Sequence, residues 1–366
     1  MKVKNYIVFI VLMLSLLVKA YCEDHFLIAG TYSPAMYVYR FNSDNGNLSR
    51  VSTLNLHKSQ YLAVSANQKY VYVANEKGEH DGGELTSLSF DKTNGILSII
   101  NAVSTGPEPY CFVDTGKDNN WVVTGNYRSG DLTIFRTNPD GSLQPGIQTI
   151  DHRKISPKGV VPHVHCTLFS PENKYIIATD LGLDKLFSYP FSKSTTTPLD
   201  ENKVVVSDTP KGYGPRHLAF HPNGKYLYMI AEKSGHIITY NYNAGNLTQF
   251  DDLLSDSTNH NGKGGSADIH ITPDGKFLYV THRTEANDIV GYKITRSGKL
   301  IELFHQSTLG VQPRNFVIDS TGSFLLVANV DSGNIIVFRI NKKSGFISST
   351  GNIVYVEKPF CLKMIK

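Results

Sequence analysis

Apolar and polar positions follow one another in a phrase that recurs about every 50 residues. Each copy contains a short apolar run, a polar turn and a second apolar run that ends in a polar residue, as in 216–232 and 267–283. The copies are spaced by 51, 54, 51, 51 and 47 residues and begin at Gln60, Cys111, His165, Arg216, Ala267 and Arg314. A regular repeat of this length, built from short strands, is typical of propellers.

Two further strand-like stretches follow each phrase, so the repeat contains four short strands. Examples of the added strands are 237–242 with 246–248, and 335–340 with 345–347. Four antiparallel strands joined by Gly, Asn, Asp or Lys turns form the blade of a β-propeller. The sequence therefore predicts an all-β fold.

The two ends of the chain supply the last blade. Residues 26–51 contain strands two to four without a first strand, and 359–365 form a first strand with nothing after it. The C-terminal strand should join the N-terminal three as the innermost strand (a 1+3 closure), which leaves no open sheet edge. Two separate β domains are the alternative, but no linker or composition shift divides the chain. We predict one seven-bladed propeller over residues 23–366.

The first 22 residues have the features of a secretory signal peptide. Lys2 and Lys4 precede an apolar stretch at 7–18, and 20–22 offers small residues at the spacing of a cleavage site. The apolar stretch is short for a membrane span, and an uncleaved anchor is the alternative. We therefore expect a signal peptide at 1–22 and a secreted protein with no membrane span after cleavage.

Removal of the signal peptide changes the charge of the chain. The formal charge falls from +4 to +1, because 33 basic residues then face 32 acidic ones. A nearly neutral protein gives no reason to expect a nucleic-acid partner. The single Trp and the absence of a Trp-Asp dipeptide argue against the WD-repeat class of propellers. We expect a monomer.

Cysteines and glycosylation sequons add two smaller expectations. Cys111, Cys166 and Cys361 remain after cleavage, and three thiols cannot pair completely. We expect buried thiols, since a Cys111–Cys166 bridge would join side chains that the strand register points to opposite sides. The sequons at Asn47 and Asn246 begin predicted outermost strands, where a glycan would stand in solvent. We predict glycosylation at both.

Polar residues recur at two places in the repeat that should meet in space. The first strand of a blade begins, and the second ends, at the same face of a propeller. The side chains that stand out there are His165, Arg216, Glu232, Arg283 and Arg314. Polar strand ends alone would explain an Asn, but three guanidiniums, an imidazole and a carboxylate are costly to bury together without an anionic occupant. We predict a site for a small carboxylate or phosphate.

His163 is the uncertain member of this group. It lies two residues before His165, and on a strand both side chains would face the same way. Either could therefore reach the central funnel. A metal would also use such a pair, but no Cys or third His stands in register, and we predict no metal and no cofactor. The further predicted substrate-binding residues are His163, Arg314, Glu76, Asn126, Arg128 and His282.

These phrases resemble the seven-bladed lactonase family, which includes the propeller-type 6-phosphogluconolactonases and the fungal carboxy-cis,cis-muconate cyclases. The phrases that match are 126–130, 162–165, 179–185, 214–217, Glu232, 272–280 and 312–316. The resemblance implies a metal-free catalytic site of His165 (or His163), Arg216, Glu232 and Arg283. Two positions depart from the family pattern. His282 stands where the family has Asn, and Arg128 replaces a small residue, so the substrate could differ.

Lactone hydrolysis needs a base for water, a donor for the oxyanion and an anchor for substrate charge. We expect His165 or Glu232 as the base and Arg216 as the oxyanion donor. The charge anchors would be Arg283 and Arg314, with Arg128. The sequence therefore predicts a secreted lactonase that acts on a small anionic sugar lactone.

Two other functions use the same features. A carboxymuconate-type cycloisomerase would hold a carboxylate with arginine while an acid protonates carbon. A non-catalytic secreted propeller would bind a small anion or a protein, since fold alone does not settle function. Calcium-dependent propeller lactonases are a third option, but their acidic cage has no counterpart in this sequence.

Overall fold

A computed structural model describes residues 25–78, 82–193, 196–256, 258 and 264–366. The predicted signal peptide lies outside these residues. Within them, 28 strands form seven four-stranded antiparallel sheets. The remaining regular structure in this part of the chain is two short 3-10 turns, His152–Lys154 and Glu201–Lys203. The predicted all-β, seven-bladed architecture is confirmed. No helix of the described chain is long and apolar enough to span a membrane.

Blades I to III follow one another along the chain, each running from the inner strand to the outer one. Blade I consists of β4 (Tyr61–Val64), β5 (Tyr70–Glu76), β6 (Gly83–Asp91) and β7 (Ile96–Gly106). Blade II consists of β8 (Phe112–Thr115), β9 (Trp121–Asn126), β10 (Asp131–Thr137) and β11 (Leu143–Asp151). Blade III consists of β12 (Val164–Phe169), β13 (Tyr175–Asp180), β14 (Lys185–Pro190) and β15 (Val205–Asp208).

Blades IV to VI repeat the same order. Blade IV consists of β16 (Pro215–Phe220), β17 (Tyr226–Ala231), β18 (His236–Asn243) and β19 (Asn246–Leu254). Blade V consists of β20 (Ser266–Ile271), β21 (Phe277–His282), β22 (Asp288–Ile294) and β23 (Leu300–Ser307). Blade VI consists of β24 (Pro313–Ile318), β25 (Phe324–Asn329), β26 (Asn334–Ile340) and β27 (Ile347–Tyr355).

Blade VII joins the two ends of the chain, as predicted. It combines β1 (His25–Thr31), β2 (Ala35–Phe41) and β3 (Leu48–Asn55) with the C-terminal strand β28 (Pro359–Ile365). β28 pairs antiparallel with β1 and takes the innermost position. It also contacts the inner strands β24 and β4 of the neighbouring blades, so the ring of inner strands is closed.

The second strand of each blade is buried because sheets pack against it from both sides. Strands β9, β21 and β25 are buried along their whole length. Tyr72, Tyr228 and Tyr279 lie on second strands, and each donates its hydroxyl to a glycine carbonyl in the next blade. The repeated tyrosine of the sequence phrase therefore links neighbouring blades.

A β-bulge interrupts five inner strands at the same height, near their first residues. In β12 the register shifts between Val164 and Cys166, which leaves His165 opposite no residue of β13. Corresponding shifts leave Arg216 in β16 and Arg314 in β24 without an opposite residue. Strands β20 and β28 bulge at the same height. A bulge re-aims the side chain of its extra residue.

Two of the three cysteines and both sequons lie where the sequence suggested; the expected burial was wrong for Cys111, which precedes β8. Cys111, Cys166 and Cys361 are free thiols, and Cys111 is partly exposed. Asn47 and Asn246 are exposed residues at the turns before β3 and β19. Glycosylation at the two asparagines stays a prediction.

Candidate active site

The central channel opens at one face of the disc into a cavity of about 660 Å³, called the funnel below. It lies at the face where first strands begin and second strands end. The charged and imidazole groups of its lining are Lys58, Glu76, Glu108, Arg128, His165, Glu232 and Arg314. The floor is formed by the residues at the start of the inner strands, which include Gln60, Cys111, His165, Arg216, Arg314 and Phe360.

Glu232 is the centre of an ion-pair cluster at this floor. It follows β17 directly and accepts a hydrogen bond from Nε of Arg216, with 2.7 Å between Nε and Oε2. Its other oxygen, Oε1, lies 3.2 Å from Nη2 of Arg283. Nε2 of His165 lies 3.9 Å from Oε2, beyond hydrogen-bond distance. The four residues of the predicted catalytic set therefore lie together.

Arg216 is almost completely buried, which is unusual for an arginine. Its Nε donates to Glu232, and its Nη1 donates to the carbonyl oxygen of Ala267 on the next inner strand. Nη1 also lies 3.3 Å from Nε2 of His217. Among the described residues, none accepts a hydrogen bond from Nη2.

Arg314 is a second guanidinium at the floor, on the inner strand of blade VI, two blades along the ring from blade IV, whose second strand Glu232 follows. It stacks on Phe360, with 4.1 Å between its Cζ and the ring centroid. It makes no ion pair or hydrogen bond within the described part of the chain. Burial, together with the positive charges of Arg216 and Arg283, lowers the pKa of Arg314 to about 9. An anion beside it would relieve this penalty.

The cluster fixes the protonation of its acid and its imidazole. Burial alone would raise the pKa of Glu232, but the charges of Arg216 and Arg283 outweigh it and lower that pKa to about 2. Burial, followed by the charge of Arg216, holds the pKa of His165 well below 6.5. At neutral pH the site therefore contains a carboxylate, a neutral imidazole and three guanidinium cations.

The chain is similar to known proteins over nearly all of its described residues. The family described as "Lactonase, 7-bladed beta-propeller" matches residues 26–364. The chain belongs to the seven-bladed β-propeller lactonase family. The predicted family is thereby confirmed, and with it the prediction of an enzyme of the lactone-hydrolase class.

Members of this family from several bacteria are similar to the chain. The 6-phosphogluconolactonase of Bacillus subtilis is 33% identical over 92% of this chain and 97% of the relative. That of Formosa agariphila is 32% identical over 90% of this chain and 95% of the relative. The crystal structure of a periplasmic gluconolactonase from Pseudomonas aeruginosa superposes with a TM-score of 0.86 at 30% identity, covering 93% of this chain and 99% of that one.

His163 and His165 point in different directions in the structure. The expectation that His163 and His165 face the same way was wrong, because the bulge at His165 breaks the strand alternation between them. His165 turns into the funnel. His163 stacks on Tyr127, with 4.2 Å between ring centroids, and its Nδ1 lies 2.7 Å from the carbonyl oxygen of Tyr127. His163 supports the wall and is not among the funnel-lining residues.

Two residues predicted to bind substrate point away from the funnel. His282 is buried between Ser255 and Ser266, with 2.8 and 2.9 Å from its ring nitrogens to their hydroxyl oxygens. Asn126 is also buried, and its Oδ1 accepts from the backbone N–H groups of Arg128 and Ser129. Each is the last residue of a second strand, so its side chain alternates with that of the next residue. The next residues take the other direction: Tyr127 lines the funnel, and Arg283 reaches Glu232.

Glu76 and Arg128 do lie at the rim of the funnel. Glu76 is bound by Lys58, with 2.6 Å between Nζ and Oε2, and by Gln60. Arg128 lies 3.4 Å from Glu108, and its side chain is 70% exposed. Arg128 is therefore free to move toward a ligand in the funnel mouth.

Lys58 and Tyr32 are lining residues that the sequence reasoning did not select. Lys58 lies 5.2 Å from the centroid of the Tyr32 ring. Lys58 sits in the loop before β4 with a positive φ of 43°, so it belongs to no strand position that the repeat could align. Gln60, two residues later, does occupy the aligned position at the start of the first strand.

Proposed function

We propose that this protein hydrolyses a small anionic sugar lactone in the funnel, with a 6-phosphogluconolactone as the representative substrate. The observation that carries the proposal is the floor cluster, in which one carboxylate, Glu232, faces three guanidiniums and a neutral imidazole. Such a cluster has an excess of positive charge that a phosphate or carboxylate would balance. The names of the Bacillus and Formosa relatives support the same substrate class.

His165 is the better candidate for the base. Both carboxylate oxygens of Glu232 are already engaged by Arg216 and Arg283. His165 keeps a lone pair at neutral pH, and its buried Nδ1 has no hydrogen-bond partner among the described residues. When His165 takes up a proton, the carboxylate at 3.9 Å would stabilise the imidazolium. Glu232 therefore acts as an electrostatic partner of the base.

The proposed reaction is attack of water on the lactone carbonyl. His165 removes a proton from water as the oxygen bonds to the carbonyl carbon, and the oxyanion that forms is stabilised by Nη2 of Arg216. The bond between the carbonyl carbon and the ring oxygen then breaks. The proton on His165 passes to that ring oxygen, and the product is the open-chain hydroxy acid.

Arg314 and Arg283 are proposed to anchor the charged group of the substrate, and Arg128 to close over it from the rim. Arg314 has no acidic partner within hydrogen-bond distance in the described part of the chain, and its fork suits a phosphate or carboxylate. Arg128 and Glu108 form an exposed ion pair at 3.4 Å. Its exchange for a contact with a ligand costs little free energy.

An unphosphorylated gluconolactone is the second candidate substrate. We propose that the chain is exported, as its first 22 residues suggest, and a phosphorylated sugar lactone is a substrate expected inside cells. The similar Pseudomonas protein is named a periplasmic gluconolactonase. For this substrate Arg128, Arg283 and Arg314 would contact hydroxyl groups in place of a phosphate.

Turnover of the two lactones by the purified chain tests the proposal. Wild type should accelerate opening of 6-phosphogluconolactone or of gluconolactone above the spontaneous rate, and Arg216→Ala should abolish this acceleration. Arg153→Ala, which removes an exposed arginine paired with Asp151 outside the funnel, is the matched control and should retain it. Acceleration that survives Arg216→Ala would contradict the assigned site. Turnover of a muconolactone alone would favour the cycloisomerase.

A further inference from the structure

Asp268 is a buried carboxylate in the channel below the funnel floor. It accepts five hydrogen bonds. Oδ1 accepts from Nδ1 of His217 at 2.8 Å and from the backbone N–H of Ile269 at 3.0 Å. Oδ2 accepts from Nε2 of His270, from the amide of Asn315 and from the backbone N–H of Phe316. A carboxylate with so many donors is ionised and fixed in place.

His217 joins this carboxylate to Arg216. Its buried ring packs edge-on against Tyr61 and Phe112, with 5.8 and 5.3 Å between ring centroids. Because an ionised Asp268 can only accept, Nδ1 of His217 must carry the proton that it donates. Nη1 of Arg216 lies 3.3 Å from Nε2 and 3.4 Å from Nδ1, so the guanidinium rests against the face of this ring. Burial, with the charge of Arg216, lowers the pKa of His217 to about 3 and keeps the ring neutral.

The guanidinium of Arg216 is therefore held on two sides. Glu232 binds Nε from the funnel side, while His217 and the carbonyl of Ala267 contact Nη1 from the channel side. Together these contacts leave Nη2 as the nitrogen that faces a ligand. We propose that His217 and Asp268 are positioning residues, which orient Arg216 so that Nη2 meets the oxyanion of the reaction.

This inference rests on the proposed lactone hydrolysis, but its geometry has a consequence that does not depend on activity. A buried Nε–H held 2.7 Å from a carboxylate should give a slowly exchanging, downfield arginine signal in NMR spectra. If His217 positions the guanidinium, loss of the bond from Nδ1 to Asp268 that fixes the ring should weaken the hydrogen bond between Nε and Glu232. A residue that only fills space would leave the signal unchanged.

The test compares His217→Phe, which keeps an aromatic ring but cannot donate to Asp268, with His217→Gln, whose amide can donate to Asp268. With gluconolactone and 6-phosphogluconolactone as probes, His217→Phe should lower kcat by roughly 10²-fold with little change in KM, as expected for a misplaced catalytic group. His217→Gln should recover most of kcat. The Nε–H signal, assigned by its loss in Arg216→Lys, should persist in His217→Gln and broaden or shift in His217→Phe.

His152→Phe is the matched control, since His152 is a buried histidine whose Nδ1 lies 2.7 Å from Asp180, outside the funnel. It should lower the melting temperature without changing kcat or the Nε–H signal. A folded His217→Phe protein with wild-type kcat and an unchanged signal would overturn the proposal. If wild type opens neither lactone, the proposed function fails, and the Nε–H signals alone decide whether His217 positions Arg216.

Discussion

His165 stays neutral in the funnel because its ring is buried beside guanidinium groups. Burial is the larger cause, and Arg216, Arg314 and Arg283 add to it by disfavouring a further positive charge. The neutral imidazole keeps a free lone pair to accept a proton from water, whereas both oxygens of the Glu232 carboxylate are engaged by Arg216 and Arg283. The environment of each residue therefore separates the base from its electrostatic partner.

The pH dependence of kcat/KM should report this base. We expect kcat/KM for lactone opening to stay constant from neutral pH down past about 6.5, the ordinary histidine value, and to fall only at clearly lower pH. The reason is that kcat/KM follows the pKa of the free enzyme, and that pKa is low for His165. Initial rates corrected for spontaneous hydrolysis provide the measurement. A midpoint at or above 6.5 would exclude His165, as found in this structure, from the role of base.

The sequence identified the chemistry of the floor but not the direction of every side chain. His165, Arg216, Glu232 and Arg283 could be found because they recur at aligned strand ends, and the structure brings them together. His282 could not be excluded, since strand alternation decides its direction and one residue of offset reverses it. The loop position of Lys58 gave no periodic signal.

The bulge at the start of the inner strands explains how a regular sheet presents irregular chemistry. Side chains of an inner strand otherwise alternate between its two faces. Without a bulge in β12, β16 or β24, some of the side chains of His165, Arg216 and Arg314 would point into the contacts between blades. The extra residue in each strand points instead toward the axis of the ring. Sequence periodicity predicted the strands but not the bulges, because a bulge adds one residue without changing the apolar pattern around it.

The closing strand β28 contributes both to stability and to the site. Cys361, Leu362 and Ile365 are buried, and Phe360 supports the guanidinium of Arg314. Its removal would expose the inner edge of β1 and part of the core, and open edges promote aggregation.

A chain ended after Val356, which lacks β28, should therefore be insoluble or unfolded. Circular dichroism and size-exclusion chromatography of this truncated chain and of its control provide the measurement. A chain that lacks only Lys366, which follows β28, is the control and should behave as wild type. A soluble, cooperatively melting protein without β28 would show that the ring does not depend on its closure.

Buried neutral histidines couple the stability of the whole molecule to pH. Burial lowers the pKa of His282 to about 4 and that of His217 to about 3, and it holds the pKa of His165 well below 6.5. Below about 6.5 the unfolded chain binds protons that the folded chain does not, so the free energy of unfolding falls as pH falls. The raised pKa of Asp114, about 6, has the opposite sign and offsets part of this loss.

Replacement of His282 isolates one of these contributions away from the floor. His282→Gln removes a titrating ring but keeps groups that can bond Ser255 and Ser266. We expect the melting temperature of wild type to fall between neutral pH and about 4.5, and that of His282→Gln to fall less steeply. Calorimetric melts at several pH values provide the measurement. Parallel curves for the two proteins would mean that His282 is protonated equally in the folded and unfolded chains.

The bulges also bear on how such a ring can change its substrate. Each of the five bulged blades contributes its extra residue separately, and the strand register continues on either side of the bulge. Exchange of one of these side chains would therefore alter recognition at the axis while leaving the strand pairing within its blade in place. New specificities would become accessible in single mutational steps.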